Sequence, residues 1–593
     1  MDQLNIAYRV AFPNPSRHIY HVVLTIQNLP VGKHRLRLPV WTPGSYQVAD
    51  FSGNLFGLEG EFERRPLLVT QTAKNRWDFE TSVPGTVTIR YQVYAYQEGV
   101  RQSHLDQTHA YWNGAHLFLL VDDYQQVGLG VDIDVPPGWQ VATGLSRLPD
   151  APYRYQAANY DVLIDSPVEI GRHPSYHFDV DGKTHTIALW GQGNEDPDRL
   201  VKDVQRIVQT AREMFGELPY EHYTFIFHLS DHGTGGLEHL NSTTCGMERF
   251  SFRPEKSYRR VLSLIAHEFF HLWNVKRIHP EMLGPFDYDR EVHTHLLWAM
   301  EGITDYYAGI LLLRSGLYTL KDYLDRLKER IEAYEKRPGR FVQSLAQSSF
   351  ETWTKFYRPG PDSPNRQISY YLKGELVGLL LDLEIRRRSQ GQKSLDEVLR
   401  LLYQRYGRES IGFPEAVYQE TVEEVCQSSF EEFFARYIES VDDLPLDQAL
   451  ASAGIEIRRQ WKALADDDAK ESASDTPIPW LGVDLKWTEH AYIDVTTSYS
   501  DGPAVDWLSP QDRIVALNGY ALESPDDLTK RLQANHRPGD VVSLHLFRRG
   551  KLQQVTMELG QAPYDQISVI PAQNPNPDAK ALLSSWLGVS PTA

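Results

Sequence analysis

Cysteine is almost missing from this chain: Cys245 and Cys426 are the two present in 593 residues. Two thiols so far apart in sequence imply no disulfide framework. A basic excess is missing too. Lys and Arg number 60 against 79 Asp and Glu, a net charge of −19, which argues against nucleic acid and anionic membranes as partners. No uninterrupted apolar run is long enough to span a bilayer. The opening MDQLNIAYRVAFPNPSRH has neither the basic start nor the apolar stretch of a secretory leader, so a cytoplasmic location is expected. Internal repeats are also absent. What is left, 41% hydrophobic and 23% charged residues, is ordinary globular composition, and the length implies several domains.

Against that background one stretch stands out: Ala266-His267-Glu268-Phe269-Phe270-His271. It spells H-E-x-x-H inside an apolar, helix-periodic run. At about 100° per residue, histidines four apart lie about 40° from each other, so both face one metal. Glu268 is rotated about 60° beyond His271 and reaches a water on that metal. Val261, Ile265, Phe269 and Leu272 fall on the opposite side, where a core would take them. Two neutral imidazoles and a carboxylate suit Zn2+, and the spare carboxylate suits a general base.

A catalytic zinc takes three protein groups and keeps one position open. The continuation H-E-x-x-H-x-x-G-x-x-H fails, because Asn274 and Arg277 occupy the Gly and His positions. The next long helical segment, Leu296 to Gly316, offers Glu301 in Trp-Ala-Met-Glu-Gly. A carboxylate amid that much apolar material needs a partner, and a cation is a good one. Asp305, one turn further, is placed to orient a ligand histidine. His279, His293 and His295 are rival ligands.

HEFFHLWNVKRIHP followed by LLWAMEGITDYY resembles the glycyl aminopeptidase family of zinc metallopeptidases, and Val40 to Tyr46 and Asp165 to Gly171 resemble that family's N-terminal domain. The resemblance implies a thermolysin-like gluzincin with one Zn2+ per chain on His267, His271 and Glu301, and Glu268 as base. Gly235-Gly236-Leu237-Glu238 resembles the glycine-rich strand of related aminopeptidases, whose Glu holds the substrate's free amine. A carboxylate near the metal does so while blocking longer N-terminal extensions. Tyr371-Leu372-Lys373-Gly374 resembles the motif whose tyrosine stabilises the tetrahedral intermediate, with Tyr370 as the adjacent alternative. Trp480-Leu481-Gly482-Val483 resembles the PDZ loop whose backbone N–H groups receive a C-terminal peptide, which points to Leu481, Gly482 and Val483. The implied activity is removal of small N-terminal residues, Gly or Ala, from peptides with a free N-terminus. An endopeptidase on the same zinc, or a non-catalytic PDZ scaffold, are the competing readings.

The expected architecture is multidomain α+β. Alternating segments such as HIYHVVLTIQNL give a β-sandwich-like domain over residues 1–170. A thermolysin-like mixed α/β domain with a helical lobe follows over 171–465, then an acidic linker at 466–477, a PDZ domain at 478–560, and a tail with a short helix at 561–593.

Overall fold

A computed structural model describes residues 4–149, 151–462, 473–488 and 492–588. The chain packs as two compact units. The first comprises Met1–Thr294, Tyr307–Leu317 and Leu399–Tyr418; the second comprises His295–Tyr306, Tyr318–Val398 and Gln419–Ala593. The peptidase segment expected at 171–465 is therefore shared between them.

The first unit begins as a β-rich domain. Its largest sheet has eight strands, with Asn5–Ala11, Ile19–Leu29 and Gly85–Tyr94 at the centre. Period-two alternation decides which face is buried. In Ile19–Leu29 the residues Tyr20, Val22, Leu24 and Ile26 are sealed in the core while their neighbours face outward. The same rule buries Val87, Ile89, Tyr91 and Val93 across the ladder.

A five-stranded sheet follows in the same unit, in the order Ser175–Val180, Lys183–Trp190, His222–Ser230, Ser242–Glu248, Gly235–Glu238. His222–Ser230 runs parallel to both of its neighbours and is nearly all buried, as a covered central strand must be. Gly235–Glu238 closes one edge, antiparallel to Ser242–Glu248. The helix Glu255–Phe270 lies on this sheet through Phe269, whose ring meets Tyr223 edge-on at 5.1 Å and Phe225 at 5.8 Å.

The second unit is mainly helical around Tyr370–Arg388, with a PDZ sheet attached. The segment expected as one helix from Leu296 opens instead with a π-helical turn, Trp298–Gly302, before the helix Ile303–Arg314. Residues 463–472 of the linker region lie outside the described residues, but Ala473–Ser474 pairs with Trp461 and Lys462. The tail holds the expected helix, Pro577–Leu587, and also a strand, Gln566–Pro571, that pairs with Ile455–Gln460. The PDZ sheet is thus inserted between two strands of one ladder. No helix among the described residues is long and apolar enough to cross a membrane.

Candidate active site

In the first unit, His267 and Glu268 lie in the last turn of Glu255–Phe270 and His271 caps its C-terminal end. All three are buried. The His271 Nδ1–H donates to the Asn274 carbonyl at 2.8 Å, so Nε2 carries the lone pair. That nitrogen converges on His267 Nε2 at 2.9 Å. Two imidazole nitrogens aimed at one point, with one tautomer fixed from behind, are the donor arrangement that a zinc-type cation requires.

The glycine strand crosses in front of this helix end. A Cβ placed on Gly236 would lie 2.1 Å from Glu268 Oε1, so the carboxylate occupies the space that only glycine leaves open. Oxygens of Glu238 and Glu268 and a ring nitrogen of His271 all lie within 4.8 Å of one another. Glu238 is held from the other side by Gly44, in the Trp41-Thr42-Pro43-Gly44 loop. That residue has φ +84°, and a Cβ there would lie 2.7 and 2.8 Å from the two Glu238 oxygens. A narrow cavity beside Glu238 is bounded by Trp41, Gly44, Tyr46 and Phe286. Cys245 pairs with Gly236 in the ladder; burial pushes its thiol far up, with Glu268 adding to the shift, so it is an unreactive packing residue.

Sequence reasoning missed the brace behind this strand. Lys276 pairs with Asp165 at 2.7 Å, and Asp165 also accepts from the His239 ring at 3.1 Å and from the Leu240 backbone at 2.7 Å. Burial works against the Asp165 charge, yet Lys276 and His239 hold its carboxyl below the ordinary value. One carboxylate thereby ties the β-rich domain to the residues following both Glu238 and His271. The signal was present in sequence: Asp165 opens one of the quoted motifs and Lys276 lies in another.

Glu301 and Tyr371 belong to the second unit. Glu301 sits in the π-helical turn at 2% exposure, between Met300 and Gly302. A Cβ on Gly302 would lie 2.4 Å from Gly374 Cα and 2.7 Å from the Tyr370 carbonyl oxygen, so the turn crosses the helix Tyr370–Arg388 backbone against backbone. This explains both glycines and fixes Glu301 relative to the start of that helix. Tyr370 is fully buried and its hydroxyl accepts from Thr352 at 3.2 Å, whereas Tyr371 is half-buried beside Phe356. Asp305 faces Arg326 and Arg330 at 3.8 and 3.9 Å. Among the rival histidines, His279 donates from Nδ1 to the Pro280 carbonyl, and His295 stacks on Phe350.

The PDZ loop is also built around a glycine. Gly482 has φ +82° and backs onto Gly502 Cα, which a Cβ would meet at 2.8 Å. Val483–Trp487 is an edge strand paired on one side with Ile493–Ser498. A groove lined by Leu481, Val483, Leu485, Leu528 and Leu532 runs along it.

Fold and site together define a zinc metallopeptidase of the aminopeptidase class. The chain belongs to the M61 glycyl aminopeptidase family: that family matches residues 260–377, the M61 N-terminal domain matches 7–172, and a PDZ domain matches 479–559. It is similar to an aminopeptidase N family protein from Idiomarina loihiensis, at 31% identity and a TM-score of 0.90, over 98% of this chain and 100% of that one. An M1 zinc metallopeptidase from Deinococcus radiodurans matches at 13% identity and a TM-score of 0.48, over 75% of this chain and 96% of that one. No curated protein gives a significant match.

Proposed function

We propose that the protein removes small N-terminal residues, glycine or alanine, from peptides with a free N-terminus, using one zinc per chain on His267, His271 and Glu301. The observation that carries this reading is the Glu238 carboxylate converging with Glu268 and His271. A carboxylate there meets an α-ammonium beside the scissile bond, and a longer N-terminal extension would run into it. The narrow cavity walled by Trp41, Tyr46 and Phe286 supports a short side chain. Zinc, when bound, supplies a Lewis acid that polarises the peptide carbonyl and makes water easier to deprotonate. Glu268 takes the proton of the attacking water and returns it to the leaving amine. Tyr371, the tyrosine the motif resemblance points to, would donate to the carbonyl oxygen as charge develops; its half-buried position beside Phe356 supports that role. The burial of Glu301 and its donor type support it as third ligand. The PDZ groove, with its edge strand and glycine loop, takes a C-terminal peptide by strand addition.

The test is a pair of variants. Glu268→Gln should keep the zinc of this site and lose most turnover on glycyl and alanyl amides, and Glu301→Ala should lose the zinc of this site. Normal kcat in metal-loaded Glu268→Gln, or full zinc in Glu301→Ala, would overturn the assignment concerned.

A further inference from the structure

Away from this site, a second group of metal-type donors lies buried in the first unit. Glu169, in Val168–Gly171, is fully sealed from solvent. Its carboxylate faces His109 Nδ1 at 3.0 and 3.2 Å, His228 Nε2 at 2.9 Å and His173 Nδ1 at 3.8 Å. His104 Nδ1 meets the far nitrogen of His109 at 2.7 Å. Trp190 stacks on the His109 ring at 3.6 Å and covers His228 edge-on at 5.5 Å, so the group is closed over by an indole.

Three features do not fit a plain hydrogen-bond network. First, among the described residues no lysine or arginine pairs with Glu169; its partners are imidazoles. The carboxylate is thus buried among rings, with no permanently charged side chain paired to it among the described residues. An uncompensated buried charge is costly. Second, neither nitrogen of the buried His173 has a hydrogen-bond partner among the described residues. Third, one donor atom each from His109, Glu169 and His228 lie within 4.8 Å of one another. Tetrahedral zinc with bonds of about 2.0–2.1 Å spaces its ligands about 3.3 Å apart, so small side-chain adjustments suffice.

We infer that His109, Glu169 and His228, with His173 as fourth donor, form a structural site for a zinc-type divalent cation. His104 then serves as the outer acceptor for the His109 Nε2–H, the pairing that fixes a ligand imidazole in its binding tautomer. Four protein donors leave no open position, so the ion has a holding role. What it holds is a junction: Glu169 and His109 belong to neighbouring strands of the β-rich domain, and His228 to the central strand of the five-stranded sheet. The inference is independent of the catalytic ligand set.

The experiment measures metal in the full chain by mass spectrometry after zinc loading and passage over a weak chelator. The parent should hold two zinc ions. His267→Ala/His271→Ala, which leaves this group untouched, should retain one. Adding Glu169→Gln, close to isosteric, should remove it, and Co2+ in the double variant should give the intense visible absorption of a tetrahedral site. Less than a tenth of an equivalent in folded His267→Ala/His271→Ala overturns the inference, whatever the behaviour of the Glu169 variant. So does an ion in that protein that Glu169→Gln fails to displace. Loss of metal on Glu301→Ala with one ion remaining would separate the two sites.

Discussion

Gly236 offers the sharpest perturbation of the catalytic geometry. A Cβ at this position would lie 2.1 Å from Glu268 Oε1, 2.2 Å from Cδ and 2.5 Å from Cγ. Non-bonded carbon contacts settle at about 3.5–4.0 Å, so the carboxylate must retreat by more than about 1 Å. The strand cannot simply move off, because Gly236 is paired with Cys245 in the ladder. A misplacement of about 1 Å in a reacting group costs about 100-fold in rate, or about 2.7 kcal/mol of barrier. Gly236→Ala should therefore keep zinc and folded structure while kcat on alanine p-nitroanilide falls about 100-fold. Gly235→Ala is the internal control. Gly235 has φ +80° with nothing within 4 Å of the added carbon, so alanine there is strained but meets no neighbour. That variant should lose about 1–2 kcal/mol of stability and keep its turnover per folded molecule. Both are read by kcat, metal content and urea unfolding. If Gly236→Ala stays within about threefold of the parent with full metal, the close approach of Glu268 to the strand does not set the base's position.

Glu238→Ala should hit free-amine substrates hardest, losing about 2–5 kcal/mol in kcat/KM, while N-acetylated peptides, poor for the parent, become no worse; equal parent rates on glycyl and acetyl-glycyl substrates would favour an endopeptidase. Asp165 is held below the ordinary carboxylate value, so its contribution is complete above the unfolded pKa and disappears as pH falls through the lower folded one. Asp165→Ala should cost about 3 kcal/mol at neutral pH, by urea unfolding, with the gap from the parent closing in acid; a gap that does not depend on pH would refute the ion-pair account. Pro479 pairs with Gln561, so the PDZ body can be excised between them and bridged by a few glycines, and rates on short amides should survive. Stopping the chain at residue 477 should instead destabilise the helical unit, because Trp586, 1% exposed and bonded to Tyr306 at 2.9 Å, goes with it; Trp586→Ala alone should cost about 3–5 kcal/mol in thermal unfolding, and an unchanged Tm would show the tail to be dispensable.

Much of the site could be read in the sequence because its chemistry is local. Helical periodicity alone puts His267 and His271 on one face, and four residues fix that relation whatever surrounds them. Strand alternation in Ile19–Leu29 likewise fixed which side chains enter the core. Motif resemblance put forward Glu238, Glu301 and Tyr371, but not the reasons for their neighbours. Gly44, Gly236, Gly302 and Gly374 are glycine because a backbone or carboxylate from a distant segment passes within 2.1–2.9 Å of where a Cβ would stand, and such proximity has no trace in local periodicity. The same holds for Asp165 with Lys276, for the return of the tail strand to Ile455–Gln460, and for Glu169 among its histidines. Each depends on segments tens to more than a hundred residues apart meeting in space, and that meeting is set by the packing of whole sheets and helices rather than by any stretch of the chain.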